Sequence, residues 1–132
     1  RYLRKGNNIA LLSIGLPGNF AADACNLLQQ ENISVGHFDM RFLKPLDENL
    51  LHEAFSNYEQ IITIEDGTVT GGLGSAVVEF MAANHYQAKV ALLGIPDQYI
   101  SQGTVEELYA ECGFDTAGIV NTIRTLLKEA IK

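Results

Sequence analysis

The apolar and polar positions of this chain alternate between a pattern typical of buried strands and one typical of helices. Mainly apolar stretches that predict strands of a parallel sheet occur four times, and the first is a continuous apolar run, as in a strand covered on both faces. They are Asn8–Ile14, Ile33–Phe42, Gln60–Ile64 and Lys89–Ile95. The second run changes phase at Gly36 and His37, which indicates either a bulge or a strand covered on both sides. Each run precedes a stretch with apolar residues three or four positions apart, so the pattern predicts four strand–helix units.

Capping signals mark where two of the helices begin. Asp47 is a predicted N-cap for the helix that carries Leu50–Phe55. Thr104 and Glu107 have the capping-box spacing, and they predict a short helix that Gly113 closes. The apolar faces of the other predicted helices run through Phe20–Leu28, Leu73–Met81 and Ile119–Ile131.

The order of these elements predicts the fold. Repeated strand–helix units imply a parallel sheet with right-handed crossovers and helices on both faces. The first residues, Arg1–Asn8, are predicted to form a short strand that turns into the first long one, and we expect an antiparallel edge strand there. The predicted fold class is therefore α/β: three α/β/α layers around a mixed, mainly parallel five-stranded sheet. We expect one domain over residues 1–132, and the lack of an initial Met suggests a piece of a longer protein.

Charge and cysteine content narrow the range of partners. The net charge is −7 and the nine Lys and Arg are scattered, which argues against nucleic acid or an anionic membrane as a partner. Two cysteines, Cys25 and Cys112, are too few for a disulfide framework or a four-ligand zinc site, and we expect buried thiols. With no signal-peptide pattern and no apolar run of membrane-spanning length, a cytoplasmic location is predicted.

A glycine-rich stretch after the third long strand is the first candidate for chemistry. It lies at the carboxyl end of a strand, where open α/β sheets usually bind ligands, and amides at a helix N-terminus suit a phosphate. Its glycine spacing fits neither the dinucleotide fingerprint nor the Walker loop, and its carboxylates would repel a phosphate. We favour a tight turn that brings a helix close to a strand over a phosphate site. The carboxylates and glycines are Glu65, Asp66, Gly67, Gly71, Gly72 and Gly74.

A second cluster of charges follows the second long strand. Arg41 and Lys44 stand between Asp39 and Asp47, and they suit either a phosphorylated substrate or a facing subunit. The alternative is a local salt-bridge network at the end of a strand. No histidine spacing is typical of a metal site, and no Ser–His–Asp arrangement can be recognised. The histidines, which we predict to be structural or solvated, are His37, His52 and His85.

These two clusters and a third stretch resemble a known family. The strings DMRFLKPLD (39–47), TIEDGTVTGGLGSAVVEF (63–80) and GIPDQYISQGTVEELYAECGFD (94–115) are similar, in order and spacing, to the C-terminal domain of 1-deoxy-D-xylulose 5-phosphate synthases. Related domains occur in transketolases and in β subunits of 2-oxo acid dehydrogenases. The patterns D-x-R-F-x-K-P-L-D and G-[IL]-P-D-x-[YF]-I-x-x-G favour the synthase.

The resemblance implies a transketolase C-terminal-domain-like fold and the third domain of a thiamine-diphosphate-dependent transferase. Such synthases condense pyruvate with glyceraldehyde 3-phosphate, and their product feeds isoprenoid, thiamine and pyridoxal synthesis. Mg²⁺ anchors the thiamine diphosphate. The family's thiamine motif is Gly-Asp-Gly followed by Asn-Asn, which Glu65–Gly67 and the lone Asn84 do not match. We therefore predict no catalytic, cofactor-binding or metal-binding residue, no bound cofactor and no activity in this chain alone.

The resemblance also implies the partners, which are the preceding domains of the same enzyme and a second subunit of a homodimer. A domain that packs against others should expose an apolar patch. Two alternatives stay open: the equivalent domain of a transketolase or a 2-oxo acid dehydrogenase β subunit, and an autonomous phosphate- or nucleotide-binding α/β domain. The predicted interface or close-packing residues are Asp39, Arg41, Lys44, Glu65, Gly71, Gly72 and Gly74.

Overall fold

A computed structural model describes residues 1–15, 17–41, 46–68, 72–95, 112–113 and 115–131 of the chain. The predicted short helix that begins at Thr104 lies outside the described residues. The described elements are β1 (Tyr2–Arg4), β2 (Ile9–Ser13), α1 (Pro17–Gln29), β3 (Val35–Asp39), α2 (Glu48–Asn57), β4 (Gln60–Thr68), α3 (Leu73–Ala83), β5 (Lys89–Ile95) and α4 (Thr116–Ile131).

The described strands form one mixed sheet in the order β1-β3-β2-β4-β5. Strand β1 is antiparallel to β3, while β2 is parallel to both β3 and β4, and β5 is parallel to β4. The predicted mixed five-stranded sheet with an antiparallel edge strand is therefore confirmed. Two strand boundaries were predicted wrongly: β3 is shorter than the apolar run, and β4 continues past Ile64 to Thr68 with a register shift between them.

Two apolar cores lie on opposite faces of the sheet, which confirms the three layers. On one face, α1 and α4 cover β2, β3 and β4 through residues such as Leu28, Ile62 and Ile123. On the other face, α2 and α3 pack on the same strands through Leu51, Val77 and their neighbours. Strand β2 is buried at every position, as a central strand between two helical layers should be.

Strand β3 is the one whose apolar phase changes, and the structure shows why. Its first four residues are all buried, so the strand is covered on both sides. The irregular pairing lies opposite, in β1, where Tyr2 pairs with Phe38 and Arg4 with His37. Because of this bulge, the Tyr2 ring stacks on Phe38 with centroids 4.1 Å apart, while Arg4 donates a hydrogen bond to Asn26 of α1.

Helix α2 begins as predicted. The backbone N–H of Leu50 donates to Asp47 Oδ1 at 3.0 Å, which makes Asp47 the N-cap. Of the cysteines, Cys25 is buried and burial raises its pKa to about 11, whereas Cys112 is only half-buried. None of the helices in the described ranges has the length and hydropathy needed to cross a bilayer.

Candidate functional site

The carboxyl ends of the neighbouring strands β2 and β4 lie at the topological switch point, where the chain leaves the sheet towards opposite faces. Strand β2 leads into α1 on one face, and β4 leads into α3 on the other. The two strand ends are joined by a hydrogen bond of 3.2 Å from the N–H of Ile14 to the carbonyl oxygen of Ile64. Open α/β sheets usually bind their ligands at such a switch point, so the glycine-rich stretch begins where a binding site is expected.

A carboxylate of the chain itself occupies the beginning of α3. Glu65 is 5% exposed, and its Oε1 accepts a hydrogen bond from the N–H of Leu73 at 2.9 Å. Its Oε2 accepts from the N–H of Gly74 at 2.8 Å. The helix has no side-chain cap at Gly72, so Glu65 supplies the negative charge and the acceptors that the first turn needs. These two amides are therefore not available to a phosphate.

Close packing of helix on sheet explains Gly74. A Cβ atom at this position would lie 2.9 Å from Leu92 Cδ2 and 3.0 Å from Thr63 Oγ1, so α3 approaches β4 and β5 more closely than a side chain would allow. Gly72 has extended backbone and accepts a hydrogen bond from Ala76, and Gly71 lies outside the described residues. The geometry at Gly74 is that of a helix packed closely on the sheet.

Thr63 gives a prediction that tests this packing. Its Oγ1 is buried and has no hydrogen-bond partner among the described residues. Thr63→Val replaces this hydroxyl with a methyl group of similar size, so we expect the free energy of unfolding to rise by about 1 kcal/mol. Thr63→Ser keeps the hydroxyl and loses the methyl group, and it should be less stable than the wild type. Urea denaturation of the three proteins measures both changes, and a less stable Thr63→Val would contradict the assignment of an unpaired hydroxyl.

The second cluster of predicted site residues lies at the end of β3. The Oδ1 atom of Asp39 accepts a hydrogen bond from the backbone N–H of Arg41 at 3.0 Å. Arg41 is exposed and has a φ of 56°, in the left-handed region that residues other than glycine rarely adopt. The bond from Asp39 holds this turn, which ends the strand before the predicted position Phe42. Lys44 lies outside the described residues, so the predicted role of the cluster is a proposal taken up below.

Two buried polar side chains that the sequence did not connect meet between β2 and β3. His37 Nε2 lies 2.8 Å from Ser13 Oγ, and the two residues are 2% and 1% exposed. Burial lowers the pKa of His37 to about 4. The charge of Asp39 opposes this shift in part, and the charge of Arg4 adds to it. The imidazole is thus neutral at pH 7. Because the pair is shielded from solvent in this chain, it is a structural contact in a buried strand.

The low pKa of His37 predicts a pH-dependent loss of stability. The unfolded chain takes up a proton near the ordinary pKa of 6.5, whereas the folded chain does so only near pH 4. The contribution of His37 is therefore complete above pH 6.5 and is lost as the pH falls towards 4, by about 3 kcal/mol in total. Urea denaturation of the wild type and His37→Gln between pH 7 and 4 measures this loss. The free energies of unfolding of the two proteins should converge as the pH falls. An NMR titration of the imidazole that gave a pKa near 6.5 would contradict this prediction.

The other two histidines have surroundings that suit structural or solvated roles. His52 Nδ1 lies 2.6 Å from the hydroxyl of Tyr86, and the His52 ring also packs on Phe80. His85 is exposed, with a φ of 60° just after α3. In the described ranges there is no group of three or more His, Cys, Asp or Glu placed to hold a metal ion.

Comparison with known proteins supplies the family. The sequence model of the family "Transketolase, C-terminal domain" matches residues 1–119. The chain is 49% identical over 132 residues to the 1-deoxy-D-xylulose-5-phosphate synthase of Cytophaga hutchinsonii, covering 100% of this chain and 21% of that protein. For the synthase of Bacteroides thetaiotaomicron the identity is 48% over 130 residues, with 98% of this chain and 20% of that protein covered. The chain thus spans about a fifth of the length of these relatives.

Solved structures agree with the family match. A split-gene transketolase, described as an inactive β4 tetramer, superimposes with a TM-score of 0.86 at 29% identity, covering 97% of this chain and 42% of that one. A transketolase from Campylobacter jejuni has the same fold, with a TM-score of 0.64 at 16% identity over 92% of this chain and 17% of that one. The family match, over residues 1–119, extends from β1 into α4. The chain therefore belongs to the transketolase C-terminal domain family.

Proposed function

We propose that this chain is the C-terminal domain of a 1-deoxy-D-xylulose 5-phosphate synthase, in which it packs against the preceding domains and contributes to the dimer interface. The observation that supports this proposal most directly is the 49% identity to a synthase across all 132 residues. The strings DMRFLKPLD and GIPDQYISQG, which resemble the synthase more than its relatives, support the same choice. The complete enzyme would condense pyruvate with glyceraldehyde 3-phosphate and release carbon dioxide.

The residues of this chain do not fit the thiamine diphosphate and Mg²⁺ that such an enzyme uses. Glu65–Gly67 resembles the thiamine motif only in part, since its first residue is not glycine. The carboxylate of Glu65 is buried and bonded to the amides of Leu73 and Gly74. We therefore assign the cofactor, the metal ion and the chemical steps to the preceding domains, and to this chain the support of their assembly.

The proposed interface residues fall into two groups. The first group consists of Asp39, Arg41 and Lys44, which we assign to the polar side of a contact. The exposure of Arg41, after the end of β3, supports this role. The second group is the glycine-rich stretch, which we assign to close packing because Gly74 lets α3 approach the sheet. The partners are the preceding domains and a second subunit of a homodimer.

Reconstitution tests the proposed function. This chain is mixed with the preceding portion of the synthase polypeptide, and association is followed by sedimentation velocity. Carbon dioxide release from pyruvate is measured in the same mixture. We expect neither piece to be active alone and the mixture to be active only when glyceraldehyde 3-phosphate is present. Activity of this chain alone, or two pieces that do not associate, would contradict the proposal.

Two alternative functions are separated by related measurements. Pyruvate-dependent carbon dioxide release that needs no glyceraldehyde 3-phosphate would favour a 2-oxo acid dehydrogenase, and an assembled protein that does not use pyruvate would favour a transketolase. An autonomous phosphate-binding domain should gain about 2.7 kcal/mol of stability at a ligand concentration of 100 times its dissociation constant. We expect no such gain with nucleotides or sugar phosphates, because Glu65 already occupies the amides at the start of α3.

A further inference from the structure

Helix α3 is mainly apolar on both of its sides. Its inner side packs in the core through Leu73, Val77 and Phe80. Among its 11 residues, Glu79 is the single charged one. We use the term outer surface of α3 for the four exposed residues on the side away from the sheet, which are Val78, Glu79, Ala82 and Ala83.

The other described helices have polar outer sides. Helix α1 exposes Leu27, which is 47% exposed, but the residue lies next to Asn26 and one turn from Asp23 on an otherwise polar side. On α4, Ala117 is exposed in the first turn, and the exposed residues between Asn121 and Lys128 are all polar. The exposed residues of α2 are polar without exception: Glu48, Asn49, His52, Glu53, Ser56 and Asn57. A helix that is apolar all round is typically buried all round, and α3, with three apolar residues among the four of its outer surface, is nearer to that composition than the other described helices.

We propose that the outer surface of α3 is a docking surface for another part of the longer polypeptide, which presents an apolar patch with a Lys or Arg opposite Glu79. This inference rests on the proposed function and specifies which face docks. The relatives are about five times as long as this chain, which covers 21% of the first of them. Their additional length is the source of the proposed partner surface.

Charge favours a different segment over a second copy of this chain. In a two-fold contact through the outer surface of α3, the same patch meets itself, and the two Glu79 carboxylates would face each other across an apolar contact. The net charge of −7 adds repulsion between copies. A cation on the partner removes this repulsion. The small side chains of Ala82 and Ala83 allow another helix or strand to approach α3 closely.

Matched lysine substitutions test the docking surface. Val78→Lys places a charge at the centre of the proposed contact, and Leu27→Lys makes the same change at a more exposed apolar residue on α1. Binding of each variant to the preceding portion of the polypeptide is measured by sedimentation velocity, and thermal unfolding confirms that each is folded. We expect Val78→Lys to raise the dissociation constant at least tenfold and Leu27→Lys less than twofold. Glu79→Lys should also raise it, because the new charge faces the cation of the partner.

The outcomes distinguish a wrong surface from a wrong function. If the wild type associates and Val78→Lys binds equally well, the docking surface is refuted while the proposed function stands. If the wild type does not associate at all, both are refuted. If Leu27→Lys weakens binding as much as Val78→Lys, the effect is not specific to α3 and the inference is wrong. Dimers of this chain alone that Val78→Lys dissociates would show a self-contact instead and would equally overturn it.

Discussion

Glu65→Ala is expected to lower the free energy of unfolding by about 3 kcal/mol, because it removes two charge-assisted hydrogen bonds from a buried helix terminus. The N–H groups of Leu73 and Gly74 would lose the acceptors that they have at 2.9 and 2.8 Å. Glu65→Gln keeps an acceptor but loses the charge, so its effect should be smaller. Urea denaturation at pH 7 measures both changes.

A matched control separates this local effect from the change in net charge. Glu79→Ala alters the net charge equally, on the helix to which Glu65 bonds, but Glu79 is exposed, so we expect a change within about 0.5 kcal/mol. If Glu65→Ala were as stable as Glu79→Ala, the carboxylate would not be holding the start of α3.

An anion should partly restore the stability of Glu65→Ala. With the carboxylate gone, the amides of Leu73 and Gly74 are left at a helix N-terminus, which favours negative charge. Inorganic phosphate at millimolar concentration is then expected to raise the melting temperature of this variant but not that of the wild type. An equal effect of phosphate on both proteins would mean that it binds elsewhere.

Gly36→Ala is the second substitution for which we expect a large loss, about 3 kcal/mol, because the new methyl group would overlap a buried ring. A Cβ atom at Gly36 would lie 2.6 Å from Cζ of Tyr58. That ring packs edge-on against Phe38, and its hydroxyl accepts a hydrogen bond from the N–H of Gly6 at 2.9 Å. The hydroxyl also forms a hydrogen bond with that of Tyr2. Moving the Tyr58 ring would disturb all of these contacts.

Gly18→Ala provides the control for this prediction. A Cβ atom at Gly18 would lie 3.3 Å from Ser13 Oγ, and alanine favours the helix in which Gly18 stands. We expect the free energy of unfolding of this variant to lie within about 1 kcal/mol of the wild-type value. Thermal denaturation of both variants compares the two sites, and equal stabilities would show that Tyr58 relaxes without loss.

The fold could be predicted from the sequence because its central strands are covered on both faces. Such strands are apolar at every position, so they stand out as continuous runs, and the glycines and prolines between them mark the turns. The extension of β4 to Thr68 was missed because Glu65 and Asp66 end the apolar run, while the backbone pairing continues beyond them. Glu65 can lie buried in this part of the strand because its carboxylate bonds to amides of the same chain, and the apolar pattern does not reveal such a residue.

The site was harder to predict, because its contacts join residues that are distant in sequence. Glu65 reaches amides eight and nine positions later in the sequence, and no local pattern encodes that distance. The sequence predicts that its charge disfavours a phosphate, but it does not reveal that the carboxylate bonds to the amides that a phosphate would use. Ser13 and His37 meet because β2 and β3 are neighbours in the sheet, which depends on the order of the strands.

The position of β1 at the edge of the sheet has a consequence for the order of folding. Although β1 comes first in the chain, the strand with which it pairs is β3, and β3 in turn pairs with β2. Strand β1 therefore joins the sheet only after β2 and β3, which both follow it in the chain, have paired. In the described sheet, this three-residue strand should also open at a lower free energy than the central strands, without separating them. Strand β1 would thus join the central strands late in folding and separate from them early.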